Sequence, residues 1–213
     1  MNQILLEANN FLSLGSFDYA ICGGFALDLF TNTDMRIHSD IDISVFTKDK
    51  NKIFSYMKEN KWKTYEFYGQ GIVRLISAEN ECQGSRNFMC IKENCEIVKF
   101  YQSDKGDSYF IHEFDDTGMR SFNYIEFLFN ESKSGDFVFS QFISREMDKA
   151  ILTRDAMPYL SPELVLLYKS ENPERKSNQY DYEKTIAKMN SEQINWLNNS
   201  LDSLYSDGHV WRT

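Results

Sequence analysis

Cys22-Gly23-Gly24-Phe25-Ala26-Leu27-Asp28-Leu29-Phe30, followed, with fifteen residues between Gly24 and Asp40, by Asp40-Ile41-Asp42-Ile43, is the stretch on which the fold turns. Before it, Tyr19-Ala20-Ile21-Cys22 predicts a short buried strand that the two glycines end. Residues 25–30 predict a short helix opening from that glycine turn. Residues 41–46 predict a second strand, with Ile41, Ile43 and Val45 on one face and Asp40, Asp42 and Ser44 on the other. Carboxylates at i and i+2 of a strand leave from the same face, about 6–7 Å apart along the backbone. Hard divalent cations take several oxygen ligands, and Mg²⁺ is commonly held by one or two carboxylates together with substrate phosphates. Glycines at a strand-to-helix turn expose amides and carry no Cβ, so a phosphate can approach the backbone and the helix N-terminus. An acidic–apolar alternation alone reads as a wet strand face, and Gly-Gly alone as a turn. In this order and spacing they describe a metal–triphosphate site.

Outward from that stretch, Ile4, Leu5, Ala8, Phe11 and Leu12 repeat as an amphipathic helix that stops at Gly15, and Ile53, Phe54 and Met57 mark another ending near Asn60. The middle of the chain changes period. Runs 64–68 and 72–76 flank Gly69-Gln70-Gly71, runs 88–92 and 95–101 flank Glu93-Asn94, and runs 109–114 and 122–129 follow, predicting a largely antiparallel meander of hairpins. All three prolines lie after residue 157, where the texture turns helical: one helix from Pro162 behind Ser161, then 180–189 and Ser191–Leu204 with Ser191 as a cap. Residues 172–179 read as a polar linker and 207–213 as a tail.

The chain's 213 residues bound one domain of ordinary size plus a small appendage, and 42% hydrophobic with 15% aromatic residues supplies a core and excludes wholesale disorder. Its 23 basic against 32 acidic residues leave a net charge of -9, which repels a phosphate backbone, excludes a DNA- or RNA-coating role and favours a cationic small partner. Cys22, Cys82, Cys90 and Cys95 fit no CxxC or zinc spacing and read as reduced thiols. The longest apolar run, 19–30, is interrupted by Gly23, Gly24 and Asp28, so no membrane partner is expected and the location is read as cytoplasmic.

The run from Cys22 to Phe30 and the run Arg36-Ile37-His38-Ser39-Asp40-Ile41-Asp42-Ile43 resemble the nucleotidyltransferase superfamily, the DNA polymerase β-like fold. They are most similar to its aminoglycoside and lincosamide branch, with its GG-aromatic-A-x-D opening and R-x-H-x-D-h-D-h strand. More weakly, Met157 to Lys169, Arg175 and Asp181-Tyr182 resemble the helical C-terminal part of bacterial relatives. The resemblance implies an α+β fold: a mixed β-sheet with flanking helices, antiparallel hairpin extensions and a C-terminal helical region. Residues 1–157 would form the catalytic domain and 158–213 the helical region packed on it.

It further implies transfer of a nucleoside monophosphate from a nucleoside triphosphate to a hydroxyl, with Asp40 and Asp42 on Mg²⁺ and a third carboxylate from a later strand. Glu126 and Glu96 compete for that place. Glu126 stands in an otherwise apolar strand, where an unpartnered carboxylate would be costly, and falls where relatives carry theirs. Glu96 could share a wet face with Lys99. Glu126 is favoured, as ligand or as base. Gly23 and Gly24 would meet the phosphates, with Arg36, His38 and Lys169 as further nucleotide-binding candidates; each has a plain alternative as a surface cation or a structural imidazole. Asp28 matches the motif and could simply orient its helix, and Asn178 stands where relatives carry Asp. The acceptor is expected to be a small hydroxylated, cationic molecule; a protein or tRNA acceptor and a non-catalytic nucleotide-binding module are the alternatives.

Overall fold

The computed structural model describes residues 2–82, 84–115 and 117–213. In chain order its elements begin with α1 (Gln3–Leu12), β1 (Tyr19–Ile21), α2 (Gly23–Thr31), β2 (Asp42–Phe46), α3 (Lys50–Glu59), β3 (Lys63–Gly69) and β4 (Ile72–Ile76). They continue with β5 (Phe88–Ile91), β6 (Val98–Gln102), β7 (Tyr109–Phe114), β8 (Tyr124–Lys133), β9 (Asp136–Ser140) and β10 (Ile143–Glu146). The rest are α4 (Met147–Ala150), β11 (Ile151–Arg154), β12 (Met157–Leu160), α5 (Pro162–Lys169), α6 (Lys176–Ile186) and α7 (Ser191–Leu204). The class is α+β, as expected. The chain divides into two compact units, each discontinuous in sequence: Met1–Tyr19 with Ile37–Glu131, and Ala20–Arg36 with Ser132–Thr213.

In the first unit the strands run in the order β2-β8-β5-β3-β4-β7-β6. The β2–β8 pair is parallel and the others are antiparallel. The hairpin expected between 88–92 and 95–101 does not form. All four residues of β5 are buried, so the strand needs a neighbour on each side and lies between β3 and β8. β6 starts only at Val98, is largely wet, and pairs with β7 instead. Asn2 caps α1 by accepting the Ile4 N–H at 2.9 Å. Ile41, Ile43, Val45, Ile53, Met57 and Phe127 are fully buried. A buried ion pair also crosses this core: the Lys50 ammonium donates to Glu66 at 2.9 Å and to the carbonyls of Gly84 and Arg86, while Arg74 takes the other Glu66 oxygen at 3.0 Å.

In the second unit β12 pairs parallel with β1 and antiparallel with β11, and β9 pairs with β10. Leu164, Val165, Leu166 and Leu167 of α5 are buried, and α5 packs against α2, α6 and α7. Three expectations are corrected here. The polar segment 172–179 already belongs to α6 from Lys176 onward. The cap of α7 is Asn190, not Ser191, because the Asn190 carboxamide accepts the Gln193 N–H at 2.9 Å and the Gln193 side chain returns the bond in a capping box. The last residues are docked: Trp211 stacks on Tyr182 at 4.7 Å, its indole N–H donates to Gln179 at 2.7 Å, and its carbonyl accepts the Tyr182 hydroxyl at 2.8 Å.

Candidate functional site

The acidic pair of the first unit is placed by the alternation that encodes β2. Ile41 and Ile43 are drawn into the core, which leaves Asp40, just before the strand, and Asp42, its first residue, half-buried on the opposite face. The Ile41 carbonyl accepts the Glu126 N–H at 2.8 Å, and this bond sets β8 beside β2 with Asp42 opposite Glu126, Ser44 opposite Leu128 and Phe46 opposite Asn130. Registered neighbours on adjacent strands share a face, about 4.8 Å apart. The Asn130 carboxamide donating to the Ser44 hydroxyl at 2.9 Å marks the same face further along. Asp42 and Glu126 therefore stand side by side. Glu96 is exposed and lies outside any strand, ahead of β6.

A fourth group shares the face. Tyr124, two residues before Glu126 on β8, donates its hydroxyl to the Glu126 carboxylate. Burial first, and then the negative charge of Asp40, push Glu126 up to about 7, against the pull of the Tyr124 hydroxyl. Burial, followed by the charges of Glu126, Asp40 and Asp42, raises Tyr124 well above the usual phenol range. The sequence signal for Tyr124 was its i, i+2 spacing from Glu126, which predicts a shared face.

All the donors are oxygens, and the charge of Asp40 raises the proton affinity of Glu126, chemistry that suits a hard divalent cation. Among the described residues no group of three or more His, Cys, Asp or Glu is gathered at ligand distance, so the carboxylates share a face without yet converging on one point. The segment leading to Asp40 is held from one side: the His38 carbonyl accepts the Met119 N–H at 3.2 Å, and the His38 side chain is buried. Gly118 sits at φ +114 so close to Ile37 that an added Cβ would lie 2.6 Å from its methyl group.

In the second unit the chain leaves β1 extended at Cys22, takes a left-handed conformation at Gly23 (φ +59) and enters α2. No side chain caps this helix start; Gly23 is buried and Gly24 half-buried. After α2 ends at the left-handed Asn32 (φ 56), the Asp28 carboxylate accepts the Met35 N–H at 3.0 Å. Tyr180 of α6 donates to the Met35 carbonyl of the same loop at 3.1 Å, and Lys188, just past α6, donates to the carbonyl of Thr31 at the end of α2 at 2.7 Å.

Arg36 binds Asp181 through two bonds, Nε to Oδ1 at 2.9 Å and Nη2 to Oδ2 at 3.1 Å. Lys169 reaches the same carboxylate at 3.0 Å and the Asn178 carboxamide oxygen at 3.3 Å. Asp181 is fully buried while the Arg36 and Lys169 side chains that clasp it keep 27% and 16% exposure. Burial pushes the Asp181 carboxyl up, but Arg36 and Lys169 outweigh it and hold it below the usual range. Asp181, absent from the candidate set, is the hub that joins two members of it.

Residues 4–84 match the family model of the aminoglycoside-2''-adenylyltransferases, a span that contains both the glycine turn and the acidic pair. No curated protein sequence matches the chain. Among solved structures, the chain is similar to the lincomycin-bound lincosamide antibiotic adenylyltransferase LnuA, at 13% identity and a TM-score of 0.55 over 89% of this chain and 98% of that one. It is also similar to the solution structure of the antibiotic-resistance factor ANT(2'')-Ia, at 10% identity and a TM-score of 0.54 over 96% and 93%. At these identities the likeness is one of fold. It bears out the nucleotidyltransferase fold that the motifs imply.

Proposed function

We propose that the protein is a Mg²⁺-dependent nucleotidyltransferase that moves a nucleoside monophosphate from a nucleoside triphosphate to a hydroxyl of a small cationic acceptor of the aminoglycoside or lincosamide kind. The observation that carries this reading is the shared face of Asp40, Asp42 and Glu126, where one carboxylate is already pushed up to about 7 by burial and by its neighbour. Asp40, Asp42 and Glu126 would hold the Mg²⁺. When bound, the ion supplies Lewis acidity and offsets charge developing on the phosphoryl group. Gly23 and Gly24 would present amides to the phosphates, with the positive side chains of Arg36 and Lys169 as an electrostatic aid. The acceptor oxygen forms a bond to the α-phosphorus, the α–β phosphoanhydride bond breaks, and pyrophosphate leaves. If it is not itself a ligand of the ion, Glu126 would instead take the acceptor's proton, a task that its raised proton affinity in the ion-free site suits better than an ordinary glutamate's. The buried His38 serves in this reading to hold the approach to Asp40.

The family match over residues 4–84 and the fold shared with a lincosamide antibiotic adenylyltransferase and an antibiotic-resistance factor support the acceptor class, as does the net charge of -9. The setting proposed is the cytoplasm, which holds nucleoside triphosphates; among the described residues no helix is long and apolar enough to cross a membrane. The test is incubation with each of the four ribonucleoside triphosphates and MgCl₂ against a panel of aminoglycosides and lincosamides, read by mass spectrometry for a nucleotidyl adduct alongside pyrophosphate release. An adduct that disappears with EDTA and in Asp40→Asn or Asp42→Asn is the expected result. No adduct and no pyrophosphate across the panel would overturn the reading, and labelling of a protein instead would move the acceptor class.

A further inference from the structure

Tyr124 stands on β8 where the core asks only for a ring. It is buried in a cluster with Tyr65, Val73, Met89, Ile91 and Val98, and Phe114 of β7 lies against it with ring centroids 5.1 Å apart. Phenylalanine would fill that cluster with the same ring. The hydroxyl has its use at the other end, where it donates to Oε1 of Glu126. Residues at i and i+2 of a strand share a face, so this bond runs along β8 and not across to β2. It turns the Glu126 carboxylate back toward Tyr124. Because β8 is parallel to β2, with Asp42 opposite Glu126, that is also the direction in which Asp40 precedes Asp42. An ordinary phenol keeps its single proton at neutral pH and has one bond to donate. Glu126 receives it, which fixes the orientation of a side chain that would otherwise sample several rotamers.

We propose that Tyr124 is the positioning residue of the acidic face: its hydroxyl holds Glu126 in one orientation, so that the carboxylate is set for the divalent cation before the ion arrives. This rests on the reading of Glu126 as a ligand of that ion and adds to it the residue that orients the ligand. A glutamate on its own gives up side-chain freedom on meeting an ion, and a partner that holds it in advance removes that cost. The ring belongs to the core and the hydroxyl to the site, which separates this role from a merely structural one.

The test is a double-mutant cycle read as Mn²⁺ affinity, by calorimetric titration of the full chain with MnCl₂. Wild-type protein should bind Mn²⁺, and Glu126→Ala should bind it more weakly, because the ion loses an anionic oxygen. Tyr124→Phe keeps the ring in the core and removes only the hydroxyl. It should weaken Mn²⁺ by about 10- to 100-fold, the usual effect of removing the hydrogen-bond partner of a metal ligand. The same substitution made on top of Glu126→Ala should bring no further loss. An equal loss in both backgrounds overturns the positioning role, because Tyr124 would then act through packing and not through Glu126. So does full affinity in Tyr124→Phe when Glu126→Ala is impaired. Full affinity in Glu126→Ala, or no Mn²⁺ uptake by wild-type protein, overturns the ligand reading itself, and the positioning role with it.

Discussion

Glu126 in the first unit and Asp181 in the second are carboxylates withdrawn from water and treated in opposite ways. Glu126 has a phenol for a partner and Asp40 for a neighbour, and its proton affinity rises. Asp181 is clasped by a guanidinium and an ammonium, and its proton affinity falls. Burial acts on both in the same direction, so the difference lies in the company each keeps. A carboxylate matched by cations is a finished joint. A carboxylate set among other carboxylates carries an electrostatic mismatch that an arriving cation would relieve, and a fold retains such a mismatch where it has work for it. The comparison sets a fully buried acid neutralised by cations beside a half-buried one whose neighbour is another acid.

The sharpest way to break the comparison is Glu126→Gln, which keeps the shape and removes the charge. If Glu126 is the base, turnover falls by about 10²–10⁴ while Mg²⁺-triphosphate binding stays near normal. If it serves chiefly as a ligand, binding and turnover fall together. Steady-state kinetics beside calorimetry distinguishes the two, with Glu96→Gln as the control that should change neither. Full activity in Glu126→Gln would dissolve the contrast.

The next effect in size belongs to the other acid. Asp181→Asn strands Arg36 and Lys169 and should cost about 2–3 kcal/mol of stability at neutral pH, below the usual cost of breaking a fully buried pair because both cations still reach water. The folded carboxyl is depressed, so its contribution is present above the unfolded value near 3.9 and is lost as pH falls through the folded value. Thermal unfolding should therefore show wild type and variant furthest apart at pH 7 and converging below about pH 4. A gap that stays constant down to pH 3 would mean that packing, not charge, is what the variant loses.

The smallest effect runs the opposite way. The folded state raises Glu126 to about 7 from an ordinary value near 4.3, so its stabilisation is full below about 4.5 and is lost as pH rises through 7. Glu126→Gln resembles the protonated form at every pH. The ion-free variant should match wild type near pH 5 and exceed it by about 1–2 kcal/mol at pH 8, allowing for the water that still reaches the site. A variant less stable than wild type at pH 8 would place Glu126 among the finished joints.

What the sequence made legible follows the range of the interactions. Gly23-Gly24 and Asp40-x-Asp42 are local, and an acid inside the apolar run Asn123 to Leu128 announces itself, though only the register of β8 with β2 puts Glu126 beside Asp42. The Arg36–Asp181 pair joins residues 145 apart, and nothing near either one signals the other. The hairpin of β11 and β12 escapes notice for a different reason. Its two-residue turn is Asp155-Ala156, both at positive φ (49° and 62°), with no glycine to advertise it, and Pro158 within β12 reads as a breaker. Lys50 and Glu66 look like solvated charges in sequence and are buried together in the core. The apolar alternation reveals where strands run, and the pairing of buried polar groups stays hidden until the strands are assembled.

The division of the chain has a consequence in time. α2 and its glycine turn emerge from the ribosome early, yet the segment that completes their unit begins only at Ser132, with 95 residues between it and Arg36. At about 5–20 residues per second, this helix waits roughly 5–20 s for its partners to begin appearing, and longer for α6 and α7. The first unit has all of its own chain by Glu131 and is free to fold meanwhile. The glycine turn therefore finds its partners only after the first unit's chain is complete, and a messenger cut short after Glu131 but before the last helices yields the acidic strand without the helices that brace the turn.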